Sequence, residues 1–104
     1  MSEAYNKLVR DKIPEIIAAD GKTPYTRILE HGEYLIELVK KLHEEADEFI
    51  ADPSIGELAD IKEILIAIRD AMNIHAGELE DVRRKKATEG GRFKKKIFLE
   101  NVED

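Results

Sequence analysis

The sequence predicts an all-α fold, a small bundle of about four helices, and three observations support this prediction. Of the 104 residues, 42% are hydrophobic and 38% are charged, a combination that suits helices with one face in water. The apolar residues recur at helical spacing over long stretches. Gly and Pro fall between these stretches, where helices end. The length favours a single domain over residues 1–104.

Turn-forming residues divide the chain into its predicted helices. Pro14 can lie in the first turn of a short helix, and Asp20-Gly21 follows its end. Ser54 followed three residues later by Glu57 is a capping box that opens the third helix. Gly90-Gly91 is a C-terminal cap for the fourth. The predicted helices cover 14–19, 27–50, 54–73 and 78–89, and residues 92–104 are predicted to form a short strand or an extended arm.

The third predicted helix is apolar over more than half of its circumference. The residues responsible are Leu58, Ile61, Ile64, Leu65, Ile68, Ala71 and Met72. One long neighbouring helix and two short ones cannot cover a face of this width. We therefore expect a homodimer or a higher homo-oligomer, in which a second copy covers part of this face.

Composition excludes several classes of protein. The chain has no cysteine, which argues against a disulfide-stabilised secreted protein and for a cytoplasmic one. Its longest apolar run, residues 64–68, is far too short to span a membrane, and no signal-peptide stretch is visible. The net charge of -6 is unevenly spread, because residues 83–96 carry eight basic side chains and one acidic side chain. The remainder of the chain is strongly acidic.

Several acidic residues fall on faces of the helices where apolar residues are expected. In the second helix Glu45 borders the apolar stripe, and Glu48 lies one step further round. In the third helix both Glu57 and Asp60 lie inside the apolar arc. Antiparallel packing of the two helices can bring these pairs opposite each other. Unpaired carboxylates gathered there would repel one another, so a cation is expected between them.

All-oxygen ligation without cysteine suits a hard cation such as Mg²⁺ or Mn²⁺. Glu45, Glu48, Glu57 and Asp60 are the candidate ligands. One alternative stays open for Glu57. If its carboxylate closes the capping box with Ser54, it is a helix cap and not a full ligand.

Basic residues form two further groups that suit a phosphate-bearing ligand. Helix four places Arg83 and Lys86 along its thin apolar stripe, where buried stems with solvated charged ends are the alternative explanation. The second group lies near the N-terminus and consists of Lys7, Arg10 and Lys12. Both groups are candidate phosphate-binding residues.

The acidic motifs resemble a known family signature. Glu44-Glu45-Ala46-Asp47-Glu48, followed by Glu57-Leu58-Ala59-Asp60, resembles the signature of MazG-like nucleotide pyrophosphohydrolases, an all-α group. The opening stretch 5–14 and the stretch 83–93 resemble a compact branch labelled phosphoribosyl-ATP pyrophosphohydrolase-like. Only eight residues separate the two acidic motifs, so a substrate loop found in longer relatives is missing.

The resemblance implies a Mg²⁺-dependent enzyme that cleaves a nucleoside triphosphate, or a related nucleotide, into monophosphate and pyrophosphate. Such proteins resemble house-cleaning enzymes and usually work as dimers or larger assemblies. By this resemblance the four carboxylates would ligate metal, and Glu45 would be catalytic. Glu44 would be auxiliary or a base for water, and Lys86 would hold charge on the leaving pyrophosphate.

A different class of function is also compatible with the charges. A non-enzymatic helical dimerisation module with a basic tail, residues 92–96, would bind nucleic acid. The inward acids argue against it, because a simple dimer interface would have apolar residues at positions 57 and 60. Nucleic acid is therefore not the expected partner.

Overall fold

The computed structural model of the protein describes residues 5–104, and this part of the chain contains four helices and no strand. The helices are α1, Ile13–Ala19; α2, His31–Ala51; α3, Ile55–Ala71; and α4, Ala76–Gly90. The prediction of an all-α fold is confirmed. The predicted domain also includes residues 1–4, which lie outside the described residues. None of the described helices is long and apolar enough to cross a bilayer.

The start of α2 differs from the prediction. The helix begins at His31 and not near Arg27. The preceding residues 22–30 are neither helix nor strand, and they contain Pro24 and several β-branched side chains that favour non-helical backbone. Arg27 donates two hydrogen bonds to the carboxylate of Glu33, at 3.2 and 2.7 Å, which hold this segment against the first turn of the helix.

Helix α3 begins where its capping signal predicts. Ser54 is the N-cap, and its Oγ accepts a hydrogen bond of 3.1 Å from the backbone N–H of Glu57. The helix ends at Ala71, two residues before the predicted limit. Asn73 adopts a left-handed conformation with φ of 57°, which ends the helical path just after Met72.

Helix α4 begins earlier than predicted because a histidine caps it. His75 is the N-cap, and its Nδ1 accepts a hydrogen bond of 3.0 Å from the backbone N–H of Gly77. Gly77 therefore lies in the first turn of α4 and is not the break that the sequence suggests. The helix ends at Gly90, and Gly91 is its C-cap. The φ of Gly91 is 86°, a value that glycine adopts readily, but its ψ of -178° lies outside the left-handed helical region.

The core lies between α2 and α3. Residues 52–54 connect these helices. Helices α2 and α3 form the extensive helix–helix contact of the described chain. Leu38, Ile64 and Ala71 are the buried apolar residues. The chain is elongated, with extents of 62 × 32 × 26 Å. Its Cα radius of gyration is 18.5 Å, whereas a compact domain of this length has a value of about 13 Å.

The broad apolar face of α3 is largely uncovered within one chain. Leu58, Leu65 and Met72 keep 56%, 48% and 53% of their surface exposed. A shallow groove on the same helix is lined by Ile55, Leu58, Ala59, Ile61, Lys62 and Leu65. Exposed apolar surface of this extent is typical of an interaction surface, because water contact with it is unfavourable.

Candidate metal centre

The packing of α2 against α3 brings three of the predicted ligands together. One carboxylate oxygen from each of Glu45, Glu57 and Asp60 lies within 4.8 Å of the others. Glu57 and Asp60 are one turn apart on the first half of α3, so both face the same neighbour. Glu45 faces them from the second half of α2. The three residues define an acidic cluster with oxygen donors from two helices.

Burial distinguishes this cluster from ordinary surface acids. Glu45 is only 7% exposed, a low value for a carboxylate. Oε2 of Glu45 and Oε2 of Glu57 are both buried and have no hydrogen-bond partner among residues 5–104. A buried carboxylate oxygen without a partner costs free energy, so these atoms mark a place where a positive group would be stabilising.

The electrostatics of the cluster follow from the same burial. Burial is the first cause that raises the pKa of Glu45, to about 7, and the neighbouring Glu48, Asp60 and Glu57 raise it further. Burial also raises the pKa of Glu57, with Glu48 as the next cause. Glu48 is itself exposed, at the edge of the cluster. The charge of Glu48 therefore acts on Glu45 and Glu57, although Glu48 is not one of the three residues that the packing brings together.

The geometry bears on whether Glu57 is a cap or a ligand. The backbone N–H of Glu57 is bonded to Ser54 Oγ, which is one half of a capping box. Oε2 of the Glu57 carboxylate is buried and accepts no hydrogen bond within the described residues, from the Ser54 N–H or from any other donor. The carboxylate of Glu57 is directed to the acidic cluster, so the cap and the cluster use different atoms of the residue.

Two basic residues of the N-terminal segment contact acidic residues at this site, Arg10 in the cluster itself and Lys7 beside it. Arg10 Nη2 donates a hydrogen bond of 2.7 Å to Asp60 Oδ1. Lys7 Nζ lies 3.4 Å from Glu44 Oε1. Lys41 was not singled out from the sequence, yet its Nζ lies 3.9 Å from Glu44 Oε1 and 4.0 Å from Glu45 Oε1. Its i,i+4 spacing from Glu45 on α2 is the signal that points to it.

The other predicted phosphate-binding residues form no ion pair with the cluster within the described residues. Lys12 is exposed at the start of α1 and makes no ion pair within the described residues. Arg83 pairs with Glu80 on its own helix, with Nη2 2.6 Å from Oε1, and is exposed. Lys86 is exposed, and no ion pair forms there in the described part of the chain. Their role in binding phosphate stays a prediction.

The arrangement has a defined chemical capacity. Carboxylate oxygens from two helices can hold a divalent cation that prefers hard oxygen ligands. Arg10 and Lys7 lie at the edge of the cluster, where they can attract an anionic ligand. A site that combines acidic residues inside and basic residues outside is suited to a complex of a cation with a phosphate-bearing molecule.

Comparison with known proteins adds one partial match. No family model matches the chain, and no solved structure matches it. A stretch of 45 residues is 51% identical to a protein of Mycolicibacterium smegmatis that is described as uncharacterized. The stretch is 43% of this chain and 46% of that protein, so the match spans about half the length of the relative.

Proposed function

We propose that the protein is a nucleotide pyrophosphohydrolase dependent on Mg²⁺, with Mn²⁺ as the other suitable cation. It would cleave the bond between the α and β phosphates of a nucleoside triphosphate or a related nucleotide, giving monophosphate and pyrophosphate. The observation that carries the proposal is the acidic cluster, in which two buried carboxylate oxygens have no partner in the described part of the chain. The resemblance of its motifs to MazG-like enzymes supports the same reaction.

The residues of the cluster fit a hard divalent cation. The donors are all carboxylate oxygens, and neither sulfur nor imidazole belongs to the group. Glu45, Glu57 and Asp60 would hold the cation, and Glu48 would supply a fourth carboxylate at the edge. When bound, the cation would neutralise phosphate charge and lower the pKa of a water molecule.

Side chains beside the cluster would bind the phosphate groups and accept a proton. Arg10 and Lys7 would bind phosphate oxygens, since each lies at the outer edge of the cluster and is largely exposed. Glu44 is half-buried beside Lys7, and it would accept a proton from the attacking water. The water oxygen would form a bond to the α phosphorus, the bond from this phosphorus to the bridging oxygen would break, and its electron pair would leave with pyrophosphate.

Assembly is part of the same proposal. A homodimer or a higher homo-oligomer would cover the apolar groove of α3, which is open to solvent in one chain. A second copy would also bring basic residues that are remote in one chain, such as Lys12, Arg83 and Lys86, towards a site. The C-terminal residues 92–104 would then serve as an arm. We expect such an enzyme to act in the cytoplasm on unwanted nucleotides.

One observation favours a second candidate function. The basic side chains of residues 92–96 are exposed, as a nucleic-acid-binding tail requires. A dimerisation module with this tail would be stabilised by DNA or RNA, and an enzyme by Mg²⁺ together with a non-hydrolysable nucleotide. A melting-temperature comparison with these ligands distinguishes the two candidates. Nothing in the second candidate requires the buried acids, so we prefer the enzyme.

The direct test is a pyrophosphate-release screen over ordinary and modified nucleotides, with Mg²⁺ or Mn²⁺. We expect turnover of at least one nucleotide, and its loss in Asp60→Asn. The matched control is Asp47→Asn, which removes one negative charge from an exposed position on α2 outside the cluster. No turnover of any nucleotide with either cation would overturn the proposal.

A further inference from the structure

Two segments of the chain, residues 23–29 and residues 97–102, have the properties of unpaired β-strands. Neither is helical, and within the described residues none of their backbone N–H or C=O groups forms a hydrogen bond. All of their residues have negative φ, as strands require. An unpaired run of backbone donors and acceptors is a template for pairing with another segment.

The side chains of the two segments also favour strand pairing. Tyr25 and Ile28 are 91% and 95% exposed, and Phe98 is 87% exposed. Ile97, Leu99 and Val102 are exposed as well. β-branched and aromatic residues of this kind are enriched in strands, where they pack against cross-strand neighbours. Pro24 lies near the start of its segment, where the missing N–H is tolerated.

We propose that residues 97–102 of one copy of the chain pair as an antiparallel strand with residues 23–29 of a second copy. Within one chain the two segments form no backbone hydrogen bonds with each other, although the backbone groups of both are unpaired among the described residues. The chain is also more elongated than a compact domain, as its radius of gyration of 18.5 Å shows. A two-fold axis would repeat the exchange, so both copies would satisfy both segments.

Charge determines the direction of the pairing. Antiparallel pairing places the basic residues 92–96 of one copy beside the start of α2 in the other, where Glu30 lies. It also brings Glu103 towards Lys22. Parallel pairing would instead place Glu103 and Asp104 beside Glu30, which puts like charges together. Opposite charges at both ends of the ladder therefore favour the antiparallel arrangement.

Disulfide trapping tests the proposal, because the chain has no cysteine of its own. Each test chain carries a single cysteine, either Ile28→Cys or one of Ile97→Cys, Phe98→Cys and Leu99→Cys. The three C-terminal positions sample neighbouring registers, because paired Cα atoms lie close enough for a disulfide in only some of them. The Ile28→Cys chain is labelled with ¹⁵N, mixed with each unlabelled partner at micromolar concentration and mildly oxidised.

We expect a disulfide between labelled and unlabelled chains in at least one register. Thiols held in the paired segments have a millimolar effective concentration, whereas the chains are micromolar. Disulfide trapping should therefore exceed the level expected from random encounter by roughly 1,000-fold. The matched control replaces Ile28→Cys with Asp47→Cys, an exposed position on α2 outside both segments. Trapping at the control level in all three registers would overturn the proposal.

A double variant distinguishes pairing between chains from pairing within one chain. A chain carrying both Ile28→Cys and the best C-terminal cysteine should form a disulfide-linked species of twice the chain mass on a non-reducing gel. A disulfide that forms within a single chain, so that the mass stays that of one chain, would mean that the segments pair within a chain. That result would overturn the proposal. Circular dichroism of each variant checks that the helices are retained.

Discussion

Replacement of Glu45 by glutamine should stabilise the metal-free protein at neutral and alkaline pH. Glu45 is 7% exposed, and burial raises the pKa of its carboxyl from 4.5 to about 7, with Glu48, Asp60 and Glu57 adding to the rise. Glutamine keeps the shape of the side chain and removes the negative charge. The variant therefore resembles the protonated state of Glu45 at every pH.

The sign and the size of the effect follow from the two pKa values. The folded pKa lies above the unfolded value, so the carboxyl favours folding below about pH 4.5 and this contribution is lost as the pH rises through about 7. At about 1.4 kcal/mol per pKa unit, the full effect is on the order of 3 kcal/mol. About 2 kcal/mol of it should be lost between pH 5 and pH 8.

Urea unfolding in the presence of a chelator, at pH 5 and pH 8 and at fixed protein concentration, measures this difference. The native protein should lose more stability than Glu45→Gln between the two pH values. Asp47→Asn is the matched control, because it removes a charge from an exposed position on the same helix and should keep the native pH dependence. Mg²⁺ should stabilise the native protein more at pH 8 than at pH 5. An unchanged pH dependence in Glu45→Gln would refute the reasoning.

Three further predictions concern the ligands and the assembly. Asp60→Asn and Glu57→Gln should each reduce turnover by orders of magnitude. Ser54→Ala should lower the free energy of unfolding by about 1 kcal/mol, because the helix cap is lost. Full turnover in Glu57→Gln would mean that this residue is only a cap. Light scattering at micromolar concentration should give a mass at least twice that of the 11.9 kDa chain, and a compact monomer would contradict this. Mixing Glu57→Gln chains with Lys86→Ala chains should partly restore turnover if copies share a site, and independent sites would show no rescue.

The sequence predicts the acidic cluster well because helical geometry is regular. Winding α3 at 100° per residue places Glu57 and Asp60 among apolar residues, and the structure finds both half-buried beside Glu45. The connection after Ala51 is so short that α3 must pack antiparallel to α2. Periodicity and one loop length are therefore enough to locate the cluster.

Contacts between residues far apart in the sequence are harder to predict from the sequence. The sequence groups Lys7 and Arg10 as basic residues, but it does not specify that Arg10 bonds to Asp60 or Lys7 to Glu44. Those pairs depend on the path of a non-helical segment, which no periodicity defines. The His75 cap was missed for a related reason, because histidine is not among the preferred N-cap residues and its bond to Gly77 is visible only in three dimensions.

Helix α4 shows where periodicity alone stops being informative. Its apolar stripe consists of Leu79 and Val82, which stay 45% and 48% exposed, so α4 buries little of this stripe within one chain. Arg83 forms an ion pair with Glu80, which lies three residues earlier on the same helix. A helical wheel defines which residues share a face, but the face becomes an interior one only when something packs on it. We therefore expect Lys86 to bind phosphate only if a second copy packs on α4, because this residue is exposed within one chain.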